Sequence, residues 1–275
     1  MNSNIELLKY YGKRVKLIDT DNYTWYGRVD ASIQKVDTDE ELYDAIDLDV
    51  ETTNKGEKFK GMLIRFYENE VKEIEKMIKR YSEKDINILS KILKSDGVIS
   101  VPTDTVFGVC CRINSKIALN KLIETKNRPK NKAFPIMCAD INQIKSIAYI
   151  NNNAEKLIKN FMPGPITLIM KMKKGTSYEI NNVDGTIAIR MATSEVLKKF
   201  ILEVGCPIYM SSANQSGEPV CKNLDEIEKS CPNLDGMLAG TVQYNISSTI
   251  VDCTSDKIKI LREGPITMEE IDKII

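Results

Sequence analysis

The 275-residue chain contains no histidine. That excludes every Ser–His or Cys–His catalytic pair and every histidine-ligated metal site. It has no run of 18 apolar residues, so no membrane-spanning helix and no membrane partner is expected. Its opening, MNSNIELLKYY, lacks the basic stretch and apolar run of a secretory leader. No Cys-x-x-Cys occurs: the seven cysteines are odd in number and irregularly spaced, with Cys110 and Cys111 adjacent. Neither a disulfide framework nor a cysteine-held metal is expected, and a reducing cytoplasm is the expected location. The glycine-rich phosphate loop G-x-x-x-x-G-K-S/T and the dinucleotide pattern G-x-G-x-x-G are both missing, so the standard nucleotide-fold fingerprints fail. There is no internal repeat, no low-complexity tract and no long Gly/Pro-rich linker.

Net charge is also lacking, since 39 basic residues balance 39 acidic ones. The balance hides an asymmetry. Residues 1–75 carry 11 basic and 17 acidic residues, and the remaining 200 carry 28 and 22. This shift predicts two modules, 1–75 and 76–275, with KMIKRYS (76–82) as the junction.

In the first module Arg14 to Ile18 alternates as a half-buried strand does, and YTWYGRV (23–29) is aromatic and β-favouring. The end of DTDEELYDAIDLDV (37–50) and MLIRFY (62–67) read as two further strands, after which NEVKEIE (69–75) leads outward. DTDEEL reads as a solvated loop. Short strands with tight turns predict a small all-β barrel. Gly12-Lys-Arg-Val15, Gly27-Arg-Val29, Ile46-Asp-Leu48 and Ile64-Arg-Phe66 resemble the Sm-like barrel. Sm-like barrels often bind RNA, but this module is acidic, and phosphates are neutralised by lysine and arginine.

The second module alternates helix and strand signals, which predicts an α/β domain. Ser82 to Asp85 is a capping-box pattern before INILSKILK, with Gly97 where the helix should stop. VIS (98–100), VFGVCC (106–111), TLIMKM (167–172), TIAIRM (186–191), PIYMSS (207–212), STIVDC (248–253) and KIKILR (257–262) read as strands. Ser115 should cap a helix with Ile117, Leu119, Leu122 and Ile123 inward and its end before Arg128, because Pro129 follows. Ser194–Leu202, stopped by Gly205, and TMEEIDKII (267–275) read as helices.

Polar side chains gather at several of these element ends. VPTDTVFG follows a buried strand and places Thr103 where open α/β sheets bind ligands; as an ordinary turn, the threonine would satisfy its own backbone. TKNRPKNKAF (125–134) sets Lys126, Arg128, Lys130 and Lys132 at alternate positions, so an extended segment could aim them at one polyanion. The competing reading is a solvated basic loop. Pro163-Gly-Pro165 restarts the chain as a strand with Thr167 near its start. Arg190 stands inside an apolar strand, where a charge is costly to bury unless paired, which makes it a candidate anion ligand; the competing reading is a strand-end arginine in water. Ser211-Ser-Ala-Asn214 and Asn245-Ile-Ser-Ser248 are further polar clusters, whose competing reading is a polar loop.

Taken together, PTDTVFG (102–108), KNRP (126–129) with Lys132, PGPITL (163–168), AIR (188–190), SSAN (211–214), STIVD (248–252) and LREG (261–264) resemble the YrdC-type family, the L-threonylcarbamoyladenylate synthases. The resemblance covers about residues 83–266, in the family's order. It implies a YrdC-like α/β domain with a twisted mixed sheet and a concave basic cavity. It also implies synthesis of threonylcarbamoyl-AMP from L-threonine, bicarbonate and ATP, with release of pyrophosphate. Mg2+ would arrive with ATP and no protein side chain would ligate it. The product would pass to a separate threonylcarbamoyl transferase complex acting on a tRNA adenosine, and a tRNA contact is compatible with the basic cavity. Lys126, Arg128, Ser212 and Asn214 match the family's signature polar set. Thr103 matches a position near threonine, Arg190 a substrate-anion position, and Thr167, Ser248 and Arg262 positions near the nucleotide. Lys132 would meet a phosphate. The chain ends soon after LREGP and so resembles the short catalytic form. Two other readings stand beside this one: an RNA-binding protein using the same basic concavity, and a carbamoyl-transfer module.

Overall fold

The computed structural model describes residues 6–37, 42–129, 132–176 and 184–275. Lys130 and residues 38–41 of the DTDEEL run lie outside the described residues. The chain divides into two compact units, Met1–Lys79 and Arg80–Ile275, and the division falls inside the 76–82 stretch.

The first unit is an antiparallel sheet of β1 (Arg14–Asp19), β2 (Thr24–Asp37), β3 (Leu42–Thr53), β4 (Leu63–Tyr67) and β5 (Val71–Lys76), in the order β4-β3-β2-β1-β5. Alternation along β1 turns Val15 and Leu17 into a core with Trp25, Val29, Ile46 and Leu48. Asp19 also faces inward, where burial is tolerated because its carboxylate accepts from Trp25 Nε1 and the Tyr23 amide, each at 2.8 Å. Phe59 and Phe66 meet Trp25 edge-on. β2 runs eight residues past the expected end at Val29, and its register against β3 shifts at three places. The expectation that NEVKEIE leads outward is corrected, because Val71–Lys76 pairs with β1. Its buried residues, Val71 and Ile74, are three apart, across a register shift at Ile18/Asp19. A bulge of this kind breaks the two-residue period that announces a strand.

The second unit is built on an eleven-stranded mixed sheet. Its strands are β6 (Arg80–Tyr81), β7 (Ile99–Pro102), β8 (Phe107–Arg112), β9 (Ile136–Cys138), β10 (Ala148–Tyr149), β11 (Ile166–Met172), β12 (Thr186–Met191), β13 (Ile208–Ser212), β14 (Gly236–Leu238), β15 (Thr249–Asp252) and β16 (Lys259–Arg262). The order is β16-β15-β11-β12-β9-β13-β8-β7-β14-β6, with β10 beside β11. Parallel ladders join β11 to β15 and β9 to β12, while β13 lies antiparallel to both β8 and β9. The helices are α1 (Ile86–Lys94), α2 (Lys116–Thr125), α3 (Ile141–Ile147), α4 (Asn152–Phe161), α5 (Glu195–Val204), α6 (Leu224–Ser230) and α7 (Met268–Asp272).

Helix starts follow the sequence closely. The hydroxyls of Ser115 and Ser194 accept from amides three residues on, and Thr267 with Glu270 forms a capping box. Gly205 ends α5 at φ 86°. Two expectations change. Asp96, not Gly97, takes the left-handed turn after α1, at φ 64°. Gly97 is required for space instead: a Cβ there would sit 2.4 Å from the Ile92 side chain and 2.8 Å from its carbonyl oxygen. On α2, Ile117 is exposed, and the buried face is Ala118, Leu122 and Thr125.

Candidate active site

The site is assembled from element ends. After β7 the chain makes a tight turn in which Thr103 Oγ1 donates to the Val106 carbonyl at 2.6 Å and accepts from the amides of Thr105 and Val106. The threonine therefore satisfies its own backbone, as an ordinary turn would, while still lining a cleft.

The basic run is not one extended segment. Lys126 caps α2 with helical dihedrals and Asn127 is left-handed at φ 46°. Convergence comes from this helix end rather than from strand alternation. Lys126 is only 2 % exposed. Its ammonium donates to the main-chain oxygens of Ser212 at 2.5 Å and Asn214 at 2.6 Å, which ties α2 to the segment after β13. Burial, reinforced by Arg128 and Lys132, lowers its pKa to about 8 against the opposing influence of Cys231 and Cys221. Arg128 stacks 4.4 Å above the Phe134 ring and donates to the carbonyls of Lys132 (3.0 Å) and Ala133 (2.6 Å), closing its own loop. Lys132 is exposed and lines the cleft.

Arg190 on β12 projects from the sheet into a paired arrangement. Its guanidinium binds the Asp104 carboxylate and Thr105 Oγ1, with a longer bond to the Gly164 carbonyl. Burial alone would deprotonate it more readily, and Asp104 opposes that effect. Thr167 Oγ1 meets Ser248 Oγ at 2.8 Å across the parallel β11–β15 pair. Arg262 donates to the Ser248 carbonyl at 3.0 Å. Asn214 uses its amide nitrogen on the carbonyls of Gln215 and Glu218, whereas its side-chain oxygen is buried with no partner. The hydroxyl of Ser216, in the same wall, is also buried and unpartnered.

All ten residues expected from the sequence line one cleft of ≈ 310 Å³. Five of them are cationic, and no carboxylate lines the cleft among the described residues. Asp104 and Ser216 were not singled out by sequence reasoning. Asp104 had a legible signal, because it stands between two threonines beside a buried strand that could meet Arg190. Ser216 had none. Charge, hydroxyls and an orphan acceptor suit a small organic polyanion that also carries hydrogen-bond donors. No group of three or more potential metal-ligating His, Cys, Asp or Glu side chains occurs among the described residues.

Fold and cleft together define an α/β domain with a polar ligand pocket at its strand ends. The model of the Sua5/YciO/YrdC family, described as telomere recombination, matches residues 91–264, and the chain belongs to that family. A threonylcarbamoyl-AMP synthase of Bacillus subtilis is 33% identical over 191 residues, 67% of this chain and 54% of that protein. The chain thus spans about half the length of that relative. A Methanocaldococcus jannaschii relative is 29% identical over 77% of this chain and 97% of that protein. Pyrococcus abyssi Sua5, solved in complex with L-threonine, aligns with a TM-score of 0.67 and 28% identity, covering 72% of this chain and 61% of that one. Escherichia coli YciO shares the fold, with a TM-score of 0.64 at 24% identity over 71% of this chain and all of that one.

Proposed function

We propose that this chain synthesises L-threonylcarbamoyl-AMP from L-threonine, bicarbonate and ATP, releasing pyrophosphate. The observation that carries the proposal is the convergence of ten residues from seven separate sequence segments on one cleft. The names of the relatives and the threonine bound to Sua5 support it. Bicarbonate takes up a proton and loses water to give carbon dioxide, to which the amine of threonine adds to form a carbamate, whose oxygen attacks the α-phosphorus of ATP. Pyrophosphate leaves. Such a reaction depends on positioning and charge stabilisation, which a rigid cationic wall supplies. Arg128 and Lys132 face phosphate oxygens, and Arg262 with Thr167 and Ser248 holds the nucleotide. Arg190 donates from the edge of its pair with Asp104.

The lining suits phosphate oxygens and not a bare cation, so Mg2+ would be held by the triphosphate and water, where it neutralises charge on the leaving group. The seven cysteines are free and buried, which fits a reducing cytoplasm. No helix among the described residues is long and apolar enough to cross a membrane. A threonylcarbamoyl transferase complex acting on tRNA would consume the product.

The test is direct. The purified protein with ATP, Mg2+, L-threonine and bicarbonate should release pyrophosphate and yield threonylcarbamoyl-AMP by mass spectrometry. Arg128→Ala should slow this by about 100-fold. A folded, ATP-binding protein that forms no product would remove the reading, and product formed only with carbamoyl phosphate would replace it by carbamoyl transfer.

A further inference from the structure

The reaction just proposed leaves one proton unassigned. Threonine enters with a protonated amine, which cannot attack carbon until a proton is removed, and the chain has no histidine to take it. We propose that Lys126, in its uncharged form, accepts that proton, with the Asn214 side-chain oxygen holding the substrate amine beside it.

The geometry is specific. Two main-chain oxygens, of Ser212 and Asn214, each take one hydrogen from the Lys126 nitrogen. A neutral amine has two hydrogens and one lone pair. With both hydrogens committed to these carbonyls, the remaining tetrahedral position is a third N–H in the charged form and a lone pair in the neutral one. Lys126 is among the residues lining the cleft, and the proposal places that third position toward the ligand space. Asn214 is 6 % exposed, and its side-chain oxygen is buried without a partner although the amide nitrogen of the same group makes two bonds. A buried acceptor of this kind needs a donor, and an ammonium supplies it.

The charged and titratable neighbours of Lys126 pull in two directions. Arg128 and Lys132, from the loop after α2, favour the neutral lysine, as does burial. Cys221 and Cys231, flanking α6, would favour its charge as thiolates, but burial raises both thiols and keeps them protonated. The step balances. The substrate N–H bond breaks and its proton bonds to Lys126 nitrogen. The freed lone pair forms the C–N bond with carbon dioxide, and the second proton leaves to water. Lys126, now charged, faces the carbamate oxygens it helped to create.

This inference rests on the proposed function, and product formation by the unaltered protein tests that reading separately. Given product, Lys126→Ala should lower turnover by about 100-fold or more. Ethylamine and methylamine should restore it, with the restored rate following the concentration of the uncharged amine as pH is varied. Rescue that follows the ammonium form, or absence of rescue in a folded variant, overturns the proposal. Should Lys126→Ala fail to fold, Lys126→Arg decides, because it keeps charge and donors but accepts no proton. A comparable loss with ATP affinity retained supports the base, and activity within about tenfold of the unaltered protein overturns it.

Discussion

Arg190 lines the cleft and is at the same time half of a buried ion pair with Asp104. Arg190 is 7 % exposed in the middle of the sheet, and its guanidinium is bonded to Asp104 and Thr105. Removing one partner leaves a buried charge uncompensated, which costs on the order of 3 kcal/mol. Asp104→Leu should therefore lower unfolding stability by about that amount, read from urea denaturation. Replacing both partners by apolar residues, Asp104→Leu with Arg190→Met, removes the unpaired charge. The double variant should recover most of the stability and still form no product, because the donor facing the cleft is gone. If the double variant were as unstable as the single one, the pair would not be the source of the loss.

At the scale of elements, the LREG segment illustrates a constraint that conformation alone does not reveal. Gly264 has no left-handed dihedral, yet a Cβ there would lie 2.3 Å from the Ser247 carbonyl oxygen and 2.6 Å from the Thr249 nitrogen. Its amide donates to Thr249 Oγ1 at 2.9 Å, which in turn donates to Ile266. Gly264→Ala must push backbone away from backbone next to Ser248. Overpacking of this sort costs roughly 1–3 kcal/mol. The variant should unfold at lower denaturant and bind ATP more weakly, measured by calorimetry, while Gly175→Ala, which is strained by its φ of 70° but meets nothing within 4 Å and does not line the cleft, should lose stability and leave ATP binding unchanged.

The same scale explains what could be read in advance. Helix caps at Ser115, Ser194 and Thr267 were legible because capping chemistry is local. Thr103, Thr167, Ser212, Asn214 and Ser248 were legible as polar groups at strand ends, Arg190 as a charge inside an apolar strand, and Lys126, Arg128 and Lys132 as a run of cations, whereas Arg262 came only with the family resemblance. The partners were not legible. Lys126 bonds to oxygens 86 and 88 residues away, and Arg190 to Asp104 across 86. Such distances arise only when the sheet order brings β13 beside β8 and β12 beside β9. β5 and the three-residue β9 were hidden by a bulge and by brevity. Helices α3, α4 and α6 carry caps at Asp140, Asn151 and Asn223 that were present but not used.

For the whole molecule, the division of labour follows from where residues lie in the chain. Every cleft residue, and the whole family match at 91–264, falls within the unit Arg80–Ile275. That unit has its own sheet and buried centre along β8, β9 and β13. E. coli YciO is matched over its full length by 71% of this chain, so the fold of this family stands as a complete protein elsewhere. The first unit has a separate core around Trp25 and a surplus of acidic residues, which does not favour a phosphate backbone. A fragment of residues 79–275 should therefore fold and form product at a rate within a few-fold of the whole chain, measured by pyrophosphate release. Its KM for ATP should be unchanged, because no nucleotide-facing residue is removed. A loss beyond about tenfold in a folded fragment would assign the first unit a part in catalysis. Full activity would exclude the first unit from catalysis and leave it a regulatory or adaptor part. The second outcome is the one the distribution of residues favours, since every residue lining the cleft lies in the second unit.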